Sequence, residues 1–182
     1  LRFDLAKADV VLALESDFLP AGPGSVRYAR DFAARRRLGH GAVAMNRLYV
    51  AESSPTATGT VADHRFRIRP SQAAGIVQAL AAAVGVAGVA SPALDSATAK
   101  WVAAAARDLV AHRGTALVVA GETLPAAAHT LVAAINEAIG ASGASGGTLI
   151  YSAPIEADPV DGLASLVALL DEMKAGKVDL LL

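Results

Sequence analysis

The 182-residue chain is 54% hydrophobic and 4% aromatic, and its 16 Lys/Arg against 17 Asp/Glu leave a net charge of −1. That balance lacks the basic footprint on which phosphate-backbone binding depends, so nucleic acid is excluded as an expected partner. No cysteine is present, which rules out disulfides and cysteine-ligated zinc or iron–sulfur clusters within this stretch. The longest apolar run, residues 79–90, is broken by Gly85 and Gly88 and falls short of the roughly 18 apolar residues a membrane span needs, so no membrane insertion is expected.

Residues 9–14 form an acid followed by a continuous apolar run, the pattern of a strand buried on both faces. They empty into Glu15-Ser16-Asp17 and a Gly/Pro turn, after which Val26, Ala29, Phe32 and Ala33 recur at helical spacing up to residues 37–39. Gly22 and Gly24 ahead of that helix offer a weak phosphate cradle, which Glu15 and Asp17 oppose by charge. Arg35, Arg36 and Arg37 at its end are read as cations facing the helix dipole.

The best-furnished stretch is residues 46–71: a strand ending in Glu52, a Ser/Thr/Gly loop, a very short second strand, and Arg69-Pro70-Ser71 opening an Ala-rich helix. At the carboxyl end of a parallel strand, Glu52 stands where a ribose-binding acid would stand. Arg65, Arg67 and Arg69 alternate on the extended segment and so share one face, a basic ridge suited to a carboxylate, a phosphate or an acidic partner surface.

Beyond it, Ala73, Ile76, Val77, Leu80 and Val84 make one apolar helix face, residues 85–92 a small-residue connection, and Val102, Ala105, Ala106, Leu109 and Val110 a second helix closed by Arg113-Gly114. Residues 115–120 read as the next buried strand. Thr123 is the expected cap of the following helix, with Pro125 in its first turn and Ala128, Leu131, Val132, Ile135 and Ile139 on its buried face. A glycine/serine loop at 140–147 leads to a strand at 148–151. Glu156, Asp158 and Asp161 do not have calcium-loop spacing, and Asp161 is expected near a helix start. Leu163, Leu166, Val167 and Leu170 mark the last helix, and residues 178–182 read as a strand cut short. The chain is therefore expected to be one domain, 1–182, excised from a longer protein.

Strands alternating with amphipathic helices predict an α/β fold: an open, mostly parallel Rossmann-like sheet with helices on both faces, in three layers. Glu15, Asp17, Glu52 and Glu122 then gather at strand ends, where loop acids serve as caps and solvated groups, so no catalytic residue is assigned. His40, His64, His112 and His129 lack helical metal-ligand spacing among themselves, so no metal site is assigned either, although His64 beside Asp63 sits in the furnished loop.

The order acid, Thr/Ser loop, Ala62-Asp63, short strand, Ile68-Arg69-Pro70 and helix resembles the guanine-dinucleotide domain of molybdopterin-dependent oxidoreductases, with Thr56 and Thr58 also standing as in that pattern. Ser53-Ser54 and Ser71-Gln72 replace the residues that grip the nucleotide there. Together with residues 28–36, 45–50 and 173–179, these departures make the chain resemble most the cofactor-less region of the iron–sulfur subunit of the quinol-oxidising alternative complex III. The resemblance implies a scaffold domain with no catalytic site of its own, part of a respiratory oxidoreductase passing electrons from quinol to a soluble acceptor. It implies iron–sulfur clusters elsewhere in the full chain, other subunits of a membrane-bound complex as partners, and a peripheral place on the periplasmic face of a bacterial inner membrane. The alternative is a true molybdopterin guanine dinucleotide site in an active molybdenum enzyme, which would draw on Glu15, Ser16, Asp17, Glu52, Ser53, Arg69, Ser71 and Gln72.

Overall fold

The computed structural model describes residues 1–37, 44–142, 146–153 and 160–181. His40, Glu156, Asp158 and part of the glycine/serine loop lie outside the described residues. The chain divides into two compact units, Leu1–Tyr151 and Ser152–Leu182.

The first unit runs β1 (Arg2–Phe3), β2 (Val10–Leu14), α1 (Ser25–Ala34), β3 (Arg47–Glu52), α2 (Ala57–Thr60), β4 (His64–Arg67), α3 (Pro70–Val84), α4 (Ser96–Ala111), β5 (Ala116–Ala120), α5 (Ala126–Ala138) and β6 (Leu149–Ile150). Four strands form an all-parallel sheet in the order β4-β3-β2-β5. The expected three-layer α/β architecture is what the chain adopts. From β2 the chain steps one way to β3 through α1, and from β4 it steps back across to β5 through α3 and α4. With the right-handed crossovers that parallel strands adopt, steps in opposite directions put these helices on opposite faces. Helix α3 packs against both α4 and α5. The apolar runs of β2 and β5 are buried on both faces, with Val10 to Leu14 fully excluded from solvent, and alanines on α3 and α4 allow close approach to them.

The strand expected at 148–151 forms over residues 149–150 and pairs antiparallel with β1, Arg2 opposite Ile150 and Phe3 opposite Leu149, apart from the four-stranded sheet. Three local expectations are corrected. Helix α1 buries Tyr28, Asp31 and Phe32, while Val26 is 85% exposed. The large rings set the rotation of that helix, since alanines bury too little area to compete. The Tyr28 ring lies tilted against Phe3 with centroids 5.2 Å apart, and its hydroxyl accepts the Phe3 N–H at 3.2 Å; the buried carboxylate of Asp31 is satisfied by Arg27 and Arg30 at 3.2 and 2.8 Å. Arg35 and Arg36 do more than face a dipole. Arg35 pairs with Asp9, and Arg36 pairs with Asp63, binds Asn46 at 3.0 Å and lies over the Phe32 ring. Finally, Pro125 rather than Thr123 occupies the N-cap of α5.

The second unit contains α6 (Gly162–Lys174), whose start is fixed by Asp161 accepting from the amides of Leu163 and Ala164 at 3.0 and 3.1 Å. The expected strand at 178–182 does not form among the described residues 178–181. Val178, Leu180 and Leu181 carry strand-like side chains, but a strand exists only where a neighbour supplies hydrogen bonds.

Candidate functional site at the carboxyl ends of the strands

The direction of chain travel reverses at β2, so the crevice expected of an open parallel sheet lies between the carboxyl ends of β2 and β5. A cleft of about 610 Å³ opens there. Its floor is Glu15, Ser16 and Asp17 after β2 and Gly121, Glu122 and Thr123 after β5, and Phe3, Phe18 and Tyr28 form an aromatic wall. A neighbouring cleft of about 390 Å³ is lined by Glu15, Ser53, Ser71 and Thr123, among others.

Glu15 stands between the two clefts. Its N–H continues the β2–β3 ladder by donating to the Ala51 carbonyl at 2.9 Å. The residue adopts φ 50°, a left-handed conformation that costs a non-glycine residue on the order of 1 kcal/mol. Gly121 explains the fit: its N–H donates to the Leu14 carbonyl at 2.8 Å, and its missing side chain makes room for the Glu15 backbone, on which an added Cβ would land. One Glu15 oxygen accepts from Ser53 Oγ at 3.0 Å. The other is buried without a partner among the described residues.

Glu52 ends β3 as expected but turns inward. It is 1% exposed, and its carboxylate accepts from Thr56 Oγ1 at 2.6 Å and from the Arg65 guanidinium. The loop beyond closes on it. Thr56 caps the four-residue helix α2 by accepting from the Gly59 amide at 2.9 Å, and Gly59 lies so close to the Glu52 carboxylate that a Cβ would overlap it. Asp17 reaches across from the β2 loop to accept the Thr58 N–H at 2.8 Å, and Thr58 Oγ1 accepts from Leu19 at 3.2 Å. The Ser/Thr/Gly loop is thus a tightly folded turn whose donors and acceptors largely satisfy one another. Asp63 is engaged likewise, accepting from the Leu48 amide at 2.8 Å and from Arg36. Burial alone would raise its pKa, but those bonds and the Arg36 charge hold it below the usual carboxylate range.

Of the eight residues that a dinucleotide would draw on, Glu15, Ser16 and Asp17 line the larger cleft and Glu15, Ser53 and Ser71 the smaller. Glu52, Arg69 and Gln72 line neither; Arg69 is exposed, and its backbone N–H donates to Gln72 Oε1 at 2.8 Å. Of the strand-end acids, Glu15, Asp17 and Glu122 come together at the cleft, and Glu52 does not.

A second polar cluster, between β3 and α4, escaped the sequence reading. Asp108 on α4 receives Arg47 in bidentate fashion at 2.8 and 2.7 Å, Tyr49 Oη at 2.9 Å, and lies 3.2 Å from His112 Nδ1. The spacing of Asp108 and His112 was a readable pair; the cross-strand partners were not. His64 stacks on Tyr49 at 4.6 Å, which gives the suspected histidine a packing role. Burial, helped by the Asp108 carboxylate, pushes the Tyr49 phenol up to about 12. Burial alone would raise Asp108, but its bonds from Arg47 and Tyr49 and the charges of Arg47 and His112 hold it below the unfolded value of 3.8. A carboxylate depressed in the folded state contributes stability that is complete above its unfolded value and is lost as pH falls through the folded one. Stability is therefore expected to drop below about pH 4, and Asp108→Asn should flatten that drop, as checked by denaturation midpoints across the acid range.

No protein-family model matches the sequence, and no curated protein is detectably similar to it. Among the described residues no helix is long and apolar enough to cross a membrane, and no three His, Asp or Glu side chains gather as a metal site would require.

Proposed function

We propose that this domain is a non-catalytic scaffold within an iron–sulfur subunit of a respiratory electron-transfer complex, passing no electrons itself but packing against the subunits that do. Residues 46–71 carry the resemblance on which this proposal rests. The observation that supports it is the inward, fully engaged Glu52: the acid that would hold a ribose is tied to Thr56 and Arg65.

The residues do not suit a guanine dinucleotide. Its pyrophosphate would enter a cleft lined by Glu15, Asp17 and Glu122, while Arg69, the cation matched by the resemblance, lines neither cleft. One carboxylate opposes one phosphate charge by about 3 kcal/mol at roughly 6 Å and an effective dielectric near 20. The partners on this reading are neighbouring subunits of a membrane-bound complex, with iron–sulfur clusters held by other parts of the full chain. The alternative, a molybdopterin guanine dinucleotide site, keeps one point in its favour: two clefts meet at Glu15, where a ligand of that class would lie. Calorimetric titration with GDP and with NADH, together with metal analysis of the full-length protein, separates the two. No heat of binding and no molybdenum is the expected result. Micromolar GDP affinity or stoichiometric molybdenum would overturn the scaffold reading.

A further inference from the structure

The two edges of the parallel sheet are finished differently. On β5 the outward backbone is already occupied by side chains: the Val118 N–H donates to Asn136 Oδ1 and its carbonyl accepts from Asn136 Nδ2, both at 2.8 Å, and Thr148 Oγ1 donates to the Ala116 carbonyl at 2.6 Å. Asn136 and Thr148 are 3% and 0% exposed, so this edge is sealed. On β4 the only strand neighbour among the described residues is β3. Its residues are exposed apart from half-buried Phe66, which leaves a row of backbone donors and acceptors of the kind that recruits another strand.

The side chains of β4 say what such a strand would carry. On one face are Arg65 and Arg67, with Arg69 continuing the alternation. Arg65 is committed to Glu52, whereas Arg67 and Arg69 are exposed and make no ion pair among the described residues. On the other face His64 stacks on Tyr49, and Phe66 stacks on the half-buried Trp101 with ring centroids 5.3 Å apart. One face offers unneutralised guanidinium groups, and the opposite face offers aromatic surface.

We propose that β4 is a docking edge for an extended segment of a partner protein in which acidic and apolar residues alternate, added as a fifth strand of the sheet. Backbone pairing supplies the register, the acids meet Arg67 and Arg69, and the apolar residues lie along Phe66 and Trp101. The inference rests on the reading of the domain as a docking scaffold and names the surface it uses.

The probe is a synthetic peptide of alternating glutamate and valine, titrated into the isotope-labelled 182-residue chain and followed by amide shifts. Shifts centred on His64 to Arg67, an affinity that weakens as salt is raised, and at least about a tenfold loss in the Arg67→Glu/Arg69→Glu variant are expected. A lysine–valine peptide should leave the same amides unmoved. Arg67→Gln/Arg69→Gln removes the charge without reversing it and serves if the first variant folds poorly. Absence of shifts on β4, or an affinity unchanged in both variants, overturns the docking edge. GDP binding would remove the scaffold reading while leaving these peptide results to stand by themselves.

Discussion

Replacing Gly121 by alanine is expected to destabilise the domain by about 3 kcal/mol, read as a fall in the urea midpoint with an unchanged slope. The reason is local and steric. Glu15, at φ 50°, lays its carbonyl against the Gly121 backbone, and a Cβ at that position would occupy the same space. Neither side can yield cheaply: Glu15 is held by its bond to Ala51, and Gly121 by its bond to Leu14, each within the sheet. A flexible side chain could swing away, whereas backbone cannot. A loss below about 0.5 kcal/mol, the range of an ordinary surface substitution, would mean that the crevice floor is looser than this packing implies.

The second large effect is expected at Arg65. Glu52 is 1% exposed while the Arg65 side chain is 32% exposed, so deleting the arginine strands a buried carboxylate, and deleting the carboxylate leaves a cation that can still reach water. Arg65→Met is therefore expected to cost about 3 kcal/mol, more than Glu52→Gln does, because an uncompensated buried charge is the expensive species. The double variant should recover part of the loss, and a double-mutant cycle on denaturation free energies measures the coupling. Equal costs for the two single variants would show that the pair is solvated on both sides.

The fold was legible where side-chain pattern alone decides structure. The uninterrupted apolar runs at 10–14 and 116–120 could satisfy themselves only inside a covered parallel sheet, and the spacing of Ile76, Leu80 and Val84 could point only one way from a helix. It was illegible where a partner decides. Val178, Leu180 and Leu181 look like strand residues, yet no neighbour pairs with them among the described residues; Leu149 and Ile150 found theirs in the two-residue β1, too short to carry a pattern. Val26 and Ala29 match the helical period as well as Tyr28 does, but ring area and the Phe3 contact fixed which side of α1 faces inward.

At the site, strand-end position could be read and side-chain direction could not. Glu52 alternates with Leu48 and Val50 along β3, and Arg65, which pairs in register with Val50, stands one step away to receive it. Nothing in a single sequence states that register. The same holds for Asn136, an amide within an apolar helix face that proves to seal the β5 edge, and for the strained turn at Glu15, which depends on a glycine far along the chain.

Amide shifts of Thr58 and Gly59 during titration with GDP decide most directly whether the loop after β3 is a closed structural turn or a nucleotide site. Thr58 donates to Asp17 and Gly59 to Thr56, so a nucleotide taking this loop must break those bonds. The expected result is that both amides stay in place up to millimolar GDP. Saturable movement of both at micromolar GDP, accompanied by the amide of Arg69, would contradict the scaffold reading.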